Sequence, residues 1–109
     1  MDVDQILEDY SNELKPEINI NKLNLDNHQT KLPSLKHKWA GRYINHKRRL
    51  IKLKVAEKSV TNKKELVEID IKIQEEELIL EYLEKIQNIV NNIQWDIKNL
   101  IELEKLELQ

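Results

Sequence analysis

Five carboxylates crowd one short stretch: Glu75, Glu76, Glu77, Glu81 and Glu84. Paired carboxylates can serve as general acid and base. Here they fall on a regular amphipathic pattern, which reads as a solvated helix face. Three histidines follow as candidates, His28, His37 and His46. His37 and His46 are nine residues apart and do not share a helix face. The chain has no Cys and no His-Glu-x-x-His pattern, so no metal site is expected. His46 reads as a semi-buried seam residue and His37 as part of the basic surface. Ser11, Ser34 and Ser59 lack a nucleophile-elbow context. The single glycine, Gly41, rules out a phosphate-binding loop. The sequence therefore predicts no enzyme, no catalytic residue and no cofactor.

The basic residues make a stronger pattern. Residues 31–64 hold twelve Lys and Arg against one acid, Glu57, while both flanks are acidic and the whole chain has a net charge of −2. Candidate phosphate contacts are Lys36, Lys38, Arg42, Lys47, Arg48, Arg49, Lys52, Lys54, Lys58, Lys63 and Lys64. Arg42, Arg49 and Lys52 share one helix face; Lys47, Lys54 and Lys58 share another. Cationic rows flanking an apolar seam can track the backbone of single-stranded nucleic acid, and an indole can stack on a base. Trp39 lies on the seam and reads as core. Trp95 lies off the later apolar stripe and reads as part of a second interface. The alternative is a charge-paired helical scaffold or adaptor. Its cations would pair with the glutamates of residues 75–84, and it would bind proteins rather than DNA. No zinc spacing, Gly-rich RNA motif or helix-turn-helix signature suggests base-specific readout.

The elements that must hold these residues are helical. With 109 residues, one Gly, two Pro and no Phe, the chain has room for one domain and too few turn residues for a sandwich or barrel. The predicted fold is all-α. Its first part, residues 1–32, is a short acidic helix over 2–14 ended by Pro16, then an irregular linker. A basic helix over 33–61, opened by Pro33, carries a seam of Leu35, Trp39, Tyr43, His46, Leu50, Leu53 and Val60. The third part, 62–109, is an acidic and apolar helix. There Ile79, Leu83, Ile86, Val90, Ile93, Ile97 and Leu100 recur at steps of four and three, as helical core and subunit contacts. A break at Ser59–Asn62 would let the two long helices fold back antiparallel, basic against acidic. The thin aliphatic core predicts a homo-oligomer. No apolar run approaches the ~20 residues of a membrane span. The acidic start lacks the basic region of a signal peptide, and the absence of Cys fits a reducing compartment. A soluble cytoplasmic protein is expected.

Several short segments are familiar in their order. Thr30-Lys31-Leu32-Pro33-Ser34-Leu35, followed by Lys38-Trp39 and Tyr43, resembles the opening of the long helix in UvsY-like recombination mediators of T-even-type phages. Ile20-Asn21 with Leu25, the start at Asp4-Gln5-Ile6, and Ile97-Lys98-Asn99-Leu100-Ile101-Glu102 also resemble that family's segments. The chain departs in its connector, Thr61-Asn62-Lys63-Lys64, which is shorter than the family's, and in Leu103, where the family carries an aromatic. The resemblance implies a non-enzymatic accessory protein that binds single-stranded DNA as a ring-like homo-oligomer. Such a protein helps a RecA-like phage recombinase replace the single-stranded-DNA-binding protein in the host cytoplasm. The family's basic region maps most directly onto Lys52, Lys54, Lys58, Lys63 and Lys64. The acidic N-terminus is expected to act as a partner-binding arm, or to mask the basic patch when DNA is absent.

Overall fold

A computed structural model describes residues 2–21 and 23–108. Those residues form three helices, α1 (Val3–Glu17), α2 (Leu25–Ser59) and α3 (Lys63–Glu107), with no strand among them. The fold is the all-α hairpin expected. α2 and α3 run antiparallel: Lys36 meets Gln94 toward one end, and Lys54 meets Glu77 toward the other. The molecule measures 71 × 21 × 15 Å. At 1.5 Å per residue, the 45 residues of α3 account for nearly all of that length.

Local chemistry explains the ends. The Asp2 carboxylate caps α1 by accepting from the Asp4 and Gln5 amides at 3.1 and 3.4 Å. Asn62 caps α3 the same way, its side-chain oxygen accepting from the Lys64 amide at 2.8 Å. The break at residues 60–62 thus needs no Gly or Pro. Between α1 and α2 an asparagine network sets the turn. The Asn21 side chain accepts from the Leu23 and Asn24 amides, and the Asn24 amide group and His28 Nε2 both donate to the Asn19 carbonyl.

Both prolines sit inside helices, which corrects two expected boundaries. α2 starts at Leu25 rather than Pro33, and α1 continues past Pro16 to Glu17. Tertiary packing outweighs the lost amide. Leu25, Leu32, Trp39 and His46 repeat at intervals of seven straight through Pro33, and all four lie on the inward face. Pro16 lacks the amide that would bond the Asn12 carbonyl, and the helix still closes beyond it, where the Ile18 amide donates to the Leu14 carbonyl.

The core has two parts. In the body, α1 covers one half of the hairpin. Leu14, Leu25, Trp39, Ile79, Leu83, Ile86, Val90, Ile93 and Ile97 are buried together, and Leu100 packs against them half-buried. All seven positions of the predicted α3 stripe therefore face this core. Beyond α1 the hairpin becomes a two-helix arm whose only buried apolar residues, among those described, are Leu50, Ile73 and Leu80.

Candidate nucleic-acid interface

The boundary between body and arm divides the basic residues. Over the body, the cations nearest α1 are engaged. The stripe Tyr10, Glu13 and Glu17 continues the inward face of α1 at steps of three and four, so both carboxylates reach α2. Lys38 donates to Glu13 at 2.9 Å and also to Glu17. Arg42 holds Glu13 through two hydrogen bonds of 2.5 and 3.0 Å. Trp39, fully buried, donates its Nε1–H to Glu17 at 3.0 Å. Lys38 and Arg42 lie 5.0 and 4.7 Å from the Trp39 ring, and Tyr10 meets that ring edge-on at 5.6 Å. The bonds from Arg42, and then Lys38, hold the Glu13 carboxyl below its ordinary pKa of 4.5, against the opposing effect of burial.

A buried polar chain ties the three helices together beside this cluster. Tyr10 Oη of α1 lies 2.9 Å from His46 Nε2 of α2, and His46 Nδ1 lies 2.7 Å from Glu76 Oε2 of α3. Since a carboxylate only accepts, Nδ1 carries a proton and donates to Glu76. Burial pushes the Tyr10 hydroxyl above its ordinary 10.0, with Arg42 opposing. Glu76 is thus a correction to the solvated face expected of it: it is 3% exposed and carries this internal bond. His46 is buried on the seam, as its spacing suggested.

Along the arm the cations face water. Lys47, Arg48, Arg49, Lys52, Lys54 and Lys58 of α2 are exposed, as are Lys63 and Lys64 at the start of α3. Among the described residues, only Lys54 of this group makes an ion pair, with Glu77 at 3.8 Å. Arg49 and Lys52 line a cleft of about 650 Å³ against Glu68, Glu75 and Glu76. Lys47, Lys54 and Lys58 form the other row, and Lys36 extends it eleven residues back, still on the same face. Between the rows runs an exposed apolar stripe, Ile44, Ile51 and Val55. The arrangement suits an extended polyanion: repeated point charges along a helix.

The eleven candidate phosphate-binding residues therefore divide by place. Lys38 and Arg42 are bound to α1, Lys36 donates to Gln94 at 2.9 Å, and the other eight lie on the arm. The sequence reading missed the partners Glu13 and Glu17, although their helical spacing with Tyr10 was the available signal.

No protein-family model matches the chain, and no curated protein matches it either. Among solved structures, the crystal structure of the bacteriophage T4 recombination mediator protein UvsY superimposes with a TM-score of 0.85. The alignment covers 94% of this chain and 97% of that one, at 17% sequence identity. The chain shares the fold of T4 UvsY. The likeness spans both long helices and α1, and at this identity it is one of fold. Among the described residues no helix is long and apolar enough to cross a membrane.

Proposed function

We propose that this protein is a UvsY-like recombination mediator. It binds single-stranded DNA and promotes loading of a RecA-like recombinase onto DNA coated with single-stranded-DNA-binding protein. The observation that carries the reading is the exposed cationic arm on a mediator-like hairpin. Lys47, Arg48, Arg49, Lys52, Lys54 and Lys58 project into water on the basic helix, next to Lys63 and Lys64. Phosphates can meet these cations without displacing a buried group, and contacts to the phosphate backbone carry no sequence preference.

The proposal includes self-association into a ring-like homo-oligomer. The arm buries little on its own, and Ile44, Ile51 and Val55 on α2 and Val67, Ile71 and Leu78 on α3 stay exposed at heptad-like steps. A second copy would cover such faces, and several weak DNA sites on one oligomer would act together.

The test is an order-of-addition experiment. Single-stranded DNA is first coated with the binding protein; a RecA-like recombinase is then added with or without this protein, and recombinase ATPase activity is followed. Shortening of the lag supports the proposal. An unchanged lag, with DNA binding intact, refutes the loading role. Absence of DNA binding leaves the protein-binding scaffold.

A further inference from the structure

At the end of the hairpin opposite the arm tip, the first turns of α2 and the last turns of α3 enclose a groove of about 750 Å³. Three lysines line it, Lys36, Lys98 and Lys105, against one carboxylate, Glu102. This is unusual for its surroundings: residues 65–109 hold twelve acids and only four lysines, and two of the four are here. Trp95, Lys98, Glu102 and Lys105 follow at steps of three, four and three, so they share one face of α3. Trp95 is 59% exposed at the groove wall, and the Lys98 ammonium sits 5.3 Å from its ring. Exposing an indole that far forgoes burial the fold could have used. Trp39, by contrast, is sealed in the core and hydrogen-bonded.

We infer that this groove is a second binding site for single-stranded nucleic acid, in which a base stacks on Trp95 and phosphates meet Lys36, Lys98 and Lys105. The inference rests on the proposed DNA-binding role of the arm and extends it to the other end of the molecule. Continuity is the supporting geometry. Lys36 belongs both to the groove and to the face of α2 that carries Lys47, Lys54 and Lys58. At 1.5 Å per residue, that row is about 33 Å long from Lys36 to Lys58. It runs on the side of α2 away from Lys38 and its partners on α1, because residues two apart point to nearly opposite sides of a helix. One strand can follow the row and end stacked on the indole. Three lysines against one carboxylate give the groove a net positive lining, which a polyanion neutralises.

Intrinsic fluorescence reads this site, because Trp95 is exposed and Trp39 is not. Oligo(dT) is titrated into the full chain and into the Trp95→Phe, Trp95→Ala and Lys98→Gln/Lys105→Gln variants. Sedimentation of each protein is followed alongside. The expected result is quenching in the parent chain and none in Trp95→Phe. Trp95→Ala should lose about five- to 150-fold in affinity, with its oligomeric state unchanged. The lysine variant should also show a shallower salt dependence. If the parent binds oligo(dT) and Trp95→Ala binds equally well, the groove is not a DNA site although the arm still is. If Trp95 emission responds to protein concentration rather than to DNA, and Trp95→Ala dissociates the oligomer, a second copy covers the groove and the inference fails. If the parent does not bind at all, the DNA-binding role itself fails.

Discussion

Replacing Glu76 by Leu removes the carboxylate that accepts from His46 in a buried position. Both residues are 3% exposed, so solvent is a poor substitute for the missing acceptor. The hydrogen bond removed is charge-assisted, worth about 1.5–3 kcal/mol, and the stranded imidazole N–H adds a penalty of about 1–3 kcal/mol. These overlap, and a net loss of about 3 kcal/mol is expected. That is more than a hundredfold in the folding equilibrium, set against a typical total of about 5–15 kcal/mol. Glu76→Gln keeps an oxygen acceptor at the same reach, so its cost should be about 1 kcal/mol. Tyr10→Phe removes the other bond of the chain and should also cost about 1 kcal/mol. His46→Leu/Glu76→Leu together should cost less than the sum of the two single variants, because neither member of that pair is then stranded and only the Tyr10 hydroxyl loses its partner. The assay is urea unfolding followed by helical circular dichroism at a single protein concentration, since self-association would shift the midpoint. Equal losses for Glu76→Leu and Glu76→Gln, or a double variant that costs the sum of its parts, would refute this role for the buried chain.

Two further expectations concern α1. Glu13→Gln/Glu17→Gln frees Lys38 and Arg42, so affinity for oligo(dT) should rise and the salt slope should steepen by about one, as measured by anisotropy across a salt series; unchanged binding would mean the two carboxylates mask nothing. The depressed pKa of Glu13 makes its contribution to α1 docking fully present above pH 4.5 and diminished as pH falls below that value through the folded-state pKa. Thermal midpoints should therefore drop on acidification below about pH 4.5, and by less in Glu13→Gln, where no such titration remains.

Much of this architecture is legible in the residues themselves. The run from Ile79 to Leu100 keeps heptad spacing without a break, and it became the core of the body. The reversal of charge at Lys64–Glu65 marks the hairpin turn because antiparallel packing places unlike charges side by side. The prolines misled because local propensity is only a weak prior. Leu25 and Leu32 extend the seam of Trp39 and His46 upstream, and burial of that seam outweighs one missing hydrogen bond. Glu76 was hidden for a different reason. Its type and neighbours describe a solvated face, and only its place opposite His46 after folding gives it a partner. The division of the basic residues was equally invisible, since it depends on how far α1 reaches along the hairpin.

The central claim is that the arm cations hold single-stranded DNA. It is tested most directly by fluorescence anisotropy of labelled oligo(dT), with a duplex control, over a salt series on the parent chain and on Lys47→Gln/Lys54→Gln/Lys58→Gln. The arm geometry predicts salt-sensitive binding that favours the single strand, and a slope reduced by about two in the variant, near 0.7 for each phosphate no longer neutralised. An unchanged slope in a folded variant, or no binding at low salt, would contradict it.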